Sequence, residues 1–225
     1  MEAEWLHREN HLAHRQSVAL LVRDVVDARF ELPIRYESQS SSLESNELFF
    51  VSPGSGIMSE TEHRTKLYHS AERLAEVLAE KNIKMVAAES CTSGMIGAAM
   101  GTVPGISNYF CGTVVTYRLP SKTAWLDVKP ATLAEHTAES QPTSDEMAGN
   151  VLDRTPEADW SVAITGHFGP DVENEFDGIC YLSIAKRGIG VVAGQKTKLQ
   201  AATRKERQIE SARLAIEFLT AEILR

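Results

Sequence analysis

The residues best suited to chemistry lie in one short stretch, Ala88-Glu-Ser-Cys-Thr-Ser-Gly94. An apolar run precedes it and a small-residue run follows, so it reads as the turn between a strand and a helix. The first N–H groups of a helix have no partner inside it and attract negative charge or a developing oxyanion. Ser90 and Thr92 would stand at that mouth, at the carboxyl end of a strand, where open α/β sheets carry their ligand crevice. Two uses fit the pattern: a nucleophile turn, or a plain helix N-cap, the commoner use of serine and threonine. Cys91 is a rival nucleophile if His136 or His167 is its base, although cysteine is more often a buried small apolar residue.

Other groups have suggestive residue types and a plainer reading. His7, His11 and His14 share one helical face, compatible with a metal, but a solvated amphipathic helix accounts for them. Asp171, Glu173, Glu175 and Asp177 lack the glycine-spaced order of a calcium loop. Arg204, Lys205 and Arg207 open the last predicted helix, where cations oppose the helix dipole. They would face an acidic partner, a substrate phosphate or solvent.

The elements that must position these residues follow from periodicity. Val18, Leu21, Val22, Val25 and Val26 form one helical stripe that Pro33 ends. A serine-dense segment, 37–46, and the apolar island Leu48–Val51 follow. Residues 1–60 therefore read as a helical appendage and linker, and 61–225 as the main domain. That domain opens with a helix carrying Leu67, Ala71, Leu74, Ala75 and Leu78. Strands are expected at 83–88, 110–117 and 160–165, with a hairpin at 179–185 and 190–196. Helices are expected at 95–100, 121–126, 130–136, 143–153 and 203–224. Strands alternating with helices predict an α/β layered sandwich with a mixed β-sheet flanked by helices.

Composition limits the partners. Among 225 residues, 31 Asp and Glu outnumber 23 Lys and Arg, for a formal charge of −8. Such a surface repels polyanions, which argues against general nucleic-acid binding. No run of about 18 apolar residues offers a membrane span. Met1–Asn10 carries charges with no apolar core behind it, unlike a signal peptide. The three cysteines, Cys91, Cys111 and Cys180, form no CxxC pair. Reduced thiols in a cytoplasmic protein are the reading that fits. The apolar surface of residues 1–60 predicts a homo-oligomer.

A set of motifs in fixed order narrows the function. They are AESCTSG at 88–94, VPGISNYF at 103–110, GTVVTYRLPSK at 112–122, WLDV at 125–128 and AITGHFGP at 163–170. Together they resemble the carboxy-terminal domain of the CinA (competence/damage-inducible) family, which is similar to nicotinamide mononucleotide amidohydrolases. The resemblance runs from about Leu67 to about Leu219. Residues 1–60 have no counterpart in it and are too few for the molybdopterin-binding-like domain of long members.

The resemblance implies that nicotinamide mononucleotide and water give nicotinate mononucleotide and ammonia, with no metal or organic cofactor. It implies three catalytic residues, Ser90 as nucleophile, Lys122 as base and Tyr117 as the tyrosine that precedes that base. Thr92, Ser93, Gly94, Arg118, Thr165, Gly166 and Gly169 would contact the nucleotide substrate. Several positions depart from the family pattern. Arg118 stands where a serine is typical, Ser93 where a glycine is typical and Glu139 where an apolar residue is typical. His167-Phe168 replaces two smaller apolar residues, and 171–177 replaces a glycine run. The nucleophile and base positions survive, and the changes fall on the substrate-contacting shell. Two other readings keep the same scaffold: a non-catalytic module that binds a nucleotide or a partner, and a Ser–Lys amidase for another small amide.

The chemistry sets one structural condition. A serine hydroxyl attacks only when a neighbour takes its proton. A lysine can do so when its pKa falls from about 10.4 towards 7, which requires roughly 4–5 kcal/mol of destabilisation of the ammonium. Burial or a nearby cation supplies that much. Lys122 must therefore be buried beside Ser90 and away from carboxylates. Otherwise it is a solvated lysine on a short helix, as most lysines are.

Overall fold

In a computed structural model of the chain, residues 58–169 and 175–225 are described. The stripe of Val18–Val26, the serine-dense segment, Phe49-Phe50 and the three early histidines lie outside the described residues. So do the acidic positions Asp171 and Glu173.

Helix α1, Glu60–Lys81, begins where Ser59 and Glu62 form a capping box, each side chain meeting the other's backbone N–H. It ends at Asn82, which adopts the left-handed conformation with φ 51°. Its buried residues include the predicted stripe of Leu67, Ala71, Leu74, Ala75 and Leu78. Strand β1, Met85–Glu89, is buried throughout. It starts two residues later than predicted, because the Lys84 N–H is held by the Asp159 carboxylate at 2.7 Å.

Then follow α2 (Met95–Met100), β2 (Phe110–Val115), α3 (Leu119–Leu126), α4 (Pro130–His136) and α5 (Gln141–Asp153). Next come β3 (Trp160–Gly166), β4 (Ile179–Lys186), β5 (Gly190–Lys198) and α6 (Arg204–Leu224). Strand β2 stops at Val115, two residues before the predicted end. The Thr116 N–H still pairs with the Glu89 carbonyl, but the Thr116 carbonyl turns to Lys122. Helix α5 begins two residues earlier than predicted, because Ser140 caps it and Pro142 fits its first turn.

The sheet order is β2-β1-β3-β4-β5. Strands β2 and β3 both run parallel to β1, and β3, β4 and β5 are antiparallel in succession. This is the expected mixed sheet. Alternate residues of the central strands feed two cores. Met85, Ala87, Val162 and Ile164 pack with α1, α2 and α6. Val86, Ala88 and Ala163 pack with Leu126 of α3, Met147 and Val151 of α5 and, at the margin, Leu133 of α4. The three parallel strands thus open their carboxyl ends to one edge of a three-layer sandwich.

Glycines test how tightly that edge is built. A Cβ on Gly166 would meet the Ile179 carbonyl oxygen at 2.6 Å and Cys180 Cα at 2.8 Å, both backbone atoms of β4. A Cβ on Gly149, inside α5, would meet nothing within 4 Å. Gly166→Ala is therefore expected to destabilise the fold by about 1–3 kcal/mol. Gly149→Ala is expected to stabilise it by about 0.5–1 kcal/mol. Urea denaturation of both variants checks the pair.

Candidate active site

Glu89 is the last residue of β1 and the only charged residue in that strand. It points into the core containing α2 and is fully buried. Five donors converge on its carboxylate. Oε2 accepts from Thr92 Oγ1 (2.7 Å), Gly94 N–H (2.9 Å) and Ile96 N–H (3.1 Å). Oε1 accepts from Gly97 N–H (2.9 Å) and Thr113 Oγ1 (2.9 Å). Glu89 is thus an internal cap for α2, whose N-cap residue Gly94 has no side chain for the task.

This corrects the expectation that the first N–H groups of α2 receive an oxyanion. Those groups are already taken by Glu89, and the Thr92 hydroxyl is turned inward with them. The Ser93 N–H bonds to the Ser90 carbonyl and the Met95 N–H to the Thr92 carbonyl. Among the described residues, the N–H groups of Cys91 and Thr92 have no protein acceptor. Ser93 and Gly94 both take positive φ, 55° and 93°, so the turn is held tightly where Glu89 gathers it.

Period-two alternation puts Ser90 on the face opposite Glu89, beneath α3. There Lys122 reaches it. Helix α3 is started by Pro120 and by the Ser121 hydroxyl, which accepts from the Arg118 N–H at 3.2 Å. Lys122 is 1% exposed, although it is the longest side chain in that core. Its Nζ donates to Ser90 Oγ at 2.8 Å and to the Thr116 carbonyl at 2.7 Å. Burial lowers the Lys122 pKa to about 8, and the Glu139 carboxylate partly opposes that shift. The requirement that carboxylates keep away is therefore met only in part.

The other predicted site residues have different partners. Tyr117 is half-exposed, and its hydroxyl accepts from Arg204 Nη2 at 2.7 Å rather than meeting Ser90 or Lys122. Arg204 Nη1 also donates to the Gly169 carbonyl at 2.7 Å, so it joins the two sides of the rim. Arg118 and Ser93 are exposed. Thr165 is buried and donates to the Ala138 carbonyl at 2.9 Å, pinning the 137–140 turn to β3. Gly169 takes φ 65°. Asp177, from the acidic stretch, is held by Arg207 through two contacts of 2.6 and 2.9 Å. Of the three cations opening α6, only Arg204 thus faces the predicted site. Lys205 pairs with Glu60.

Cys91 belongs to the core opposite Ser90, and burial raises its thiol pKa well above 9. Its carbonyl accepts from Gln208 Nε2 of α6 at 3.2 Å. His136 lies against Glu135, and His167 packs at a tilt on Phe176. Neither histidine is hydrogen-bonded to Cys91 among the described residues. Sequence reading missed Glu89 and undervalued Arg204. A carboxylate ending an apolar strand beside a candidate nucleophile, and an arginine opposing a helix dipole, were the available signals.

Comparisons with known proteins bear on this geometry. The CinA C-terminal domain pattern matches residues 67–223. Over 157 residues the chain is 36% identical to the nicotinamide-nucleotide amidohydrolase PncC of Shewanella oneidensis, covering 68% of this chain and 36% of that protein. Over 99 residues it is 41% identical to a CinA-like protein of Chlorobaculum tepidum, covering 44% of this chain and 23% of that one. It thus spans about a third or less of the length of these relatives. The crystal structure of the competence/damage inducible protein CihA from Agrobacterium tumefaciens superposes with a TM-score of 0.66 at 26% identity. That match covers 76% of this chain and 100% of that one. A CinA superfamily protein from Klebsiella pneumoniae also superposes with a TM-score of 0.66, at 25% identity, over 70% and 98% of the two chains. The chain belongs to the CinA C-terminal domain family.

Proposed function

We propose that this chain is an amidohydrolase that converts nicotinamide mononucleotide and water to nicotinate mononucleotide and ammonia through a Ser90–Lys122 pair. The observation that carries the reading is the 2.8 Å contact between Lys122 Nζ and Ser90 Oγ, made by an amine that burial has brought to a pKa of about 8. The name and identity of the Shewanella relative support the choice of substrate.

In this mechanism the neutral Lys122 amine keeps one N–H on the Thr116 carbonyl and turns its lone pair to the Ser90 hydroxyl. It takes the hydroxyl proton as Oγ attacks the amide carbon. The oxyanion is received by the N–H groups of Cys91 and Thr92. The Lys122 ammonium then protonates the departing nitrogen, the C–N bond breaks and ammonia leaves. Water attacks the acyl-serine with Lys122 again as base, and Oγ recovers its proton. Arg204 and Arg118 supply cations at the rim for the phosphate, and Tyr117 is a wall between them.

Ammonia release from nicotinamide mononucleotide tests the reading. Ser90→Ala and Lys122→Met are each expected to lower kcat by about a thousandfold or more, with the substrate still bound. Ligand binding by the wild type without ammonia release would instead support a binding module. Turnover of other amides alone would leave the dyad and remove this substrate.

The pH dependence has a definite sign. The active form of Lys122 is the neutral amine, so kcat/KM is expected to rise with pH through an acid limb near the Lys122 pKa of about 8. Stability is linked to the same proton. A lysine lowered on folding binds fewer protons in the native than in the unfolded state between about 8 and 10.5. Wild-type stability should therefore rise with pH across that window relative to Lys122→Met. Urea unfolding at pH 7.5 and pH 10 reads this difference.

Glu89→Ala would release five donors at once and leave the α2 terminus bare. It is expected to destabilise the protein by about 3 kcal/mol or more. In the fraction that folds, kcat should fall without a matching rise in KM, because the turn carrying Ser90 loses its fixed shape.

A further inference from the structure

One charged side chain near Ser90 has no role in the steps above. Glu139 lies in the turn between α4 and α5, and that turn is fixed from both sides. The Thr137 carbonyl accepts from Thr143 Oγ1 at 2.7 Å and from Ser140 Oγ at 3.2 Å. The Ala138 carbonyl accepts from Thr165 Oγ1 at 2.9 Å. Thr165 connects the turn to the nucleophile. In the parallel pairing of β1 with β3, Glu89 stands opposite Ile164, so the next residues, Ser90 and Thr165, are neighbours at the strand ends. Both lie on the face that carries α3 to α5.

Glu139 follows directly on Ala138 and is half-buried. Among the described residues its carboxylate has no hydrogen bond and no ion pair. The carboxylates of the following helix α5 are otherwise engaged: Glu146 with the Lys129 N–H and Thr132, and Asp145 with Gln141 and Ser183. A half-buried carboxylate with no hydrogen bond and no ion pair recovers little of the hydration that it gives up, the Lys122 ammonium acting on it only through the field. It gains if a cation is delivered to it.

We propose that Glu139 is the specificity-determining counter-ion of this site, selecting amides that carry a positive charge beside the reacting carbonyl. The inference rests on the amidase reading and names its substrate class: a cationic aromatic amide such as the pyridinium of nicotinamide mononucleotide. The carboxylate has two cations to serve in turn. Without substrate it favours the Lys122 ammonium, whose proton affinity it raises. A bound pyridinium claims that negative charge, and the same positive charge repels a proton from Lys122. A cationic substrate would thus promote the neutral form of its own base, which an uncharged amide could not do.

The test uses the Ser90→Ala variant, so that binding is read without turnover. The two probes are nicotinamide mononucleotide and its reduced dihydropyridine form. They share the amide, ribose and phosphate and differ in ring charge. Calorimetry is expected to give at least about tenfold tighter binding of the cationic form. In Ser90→Ala/Glu139→Gln that preference should fall to within about twofold, and Ser90→Ala/Glu139→Asp should retain most of it. In the active enzyme, Glu139→Gln should raise KM for nicotinamide mononucleotide about tenfold, with a much smaller change in kcat. It should also move the acid limb of kcat/KM to lower pH. Glu139 and the Cys91 thiol are the groups whose charge reaches Lys122, and the thiol stays protonated.

An unchanged preference in the Gln variant overturns the proposal, as does failure of Ser90→Ala to bind either form. Charge discrimination by Ser90→Ala, lost in the Gln variant, upholds it even if the wild type releases no ammonia. That second result would count against the amidase reading alone.

Discussion

A lysine amine placed in a protein interior loses the water that stabilises its charge, and nothing in the Lys122 pocket fully replaces it. The Thr116 carbonyl and the Ser90 hydroxyl satisfy two of the hydrogen bonds of Nζ. Glu139 offers partial compensation. Holding the amine at a pKa of about 8 rather than 10.5 costs the fold roughly 3 kcal/mol near neutral pH. That is a large share of the net stability of an ordinary domain. The surrounding elements can be understood as the structure that sustains this cost. Two cores grip the central strands from both sides, α3 is short and firmly started, and β2 ends where its carbonyl is needed.

Neighbouring residues at the end of β1 do opposite jobs because a strand sends them to opposite faces. Glu89 carries its negative charge into the α2 side, where three backbone N–H groups and two hydroxyls neutralise it. Ser90 emerges on the α3 side, beside the Lys122 amine. Interchange of the two faces would put a carboxylate on Lys122 and raise its proton affinity. The same alternation removes Cys91 from contention, since it returns to the Glu89 side, where burial keeps the thiol protonated.

The rim is assembled differently from the centre. Arg204 ties Tyr117 to Gly169, and Arg207 holds Asp177, so the first turn of α6 fastens the strand-end loops. Thr165 and Thr143 pin the turn that presents Glu139. Ser93 and Arg118 are exposed and Glu139 is half-buried, whereas Ser90 and Lys122 are buried.

Much of the framework was legible along the chain. Helix α1 announced itself through its five-residue apolar stripe, β1 and β3 through unbroken apolar runs, and the β4–β5 hairpin through paired strands around a glycine turn. These features depend on residues close in sequence, where period and capping chemistry act locally. Boundaries slipped by two residues at β1, β2, α3, α5 and β5. At β1 the deciding contact came from afar, Asp159 on Lys84; at β2 it came from the next helix, Lys122 on the Thr116 carbonyl; at α5 it was local, the N-cap Ser140 ahead of Pro142. The motif order also marked Ser90 and Lys122 as a pair. Whether amine and hydroxyl meet, which donors remain after Glu89 has taken its share, and which cation reaches Tyr117 were all decided by tertiary structure. The first and the last depend on through-space distance between segments tens of residues apart, and the second on how the turn after β1 folds back on Glu89. The desolvation that tunes Lys122 exists only once α3 has closed over the strand ends.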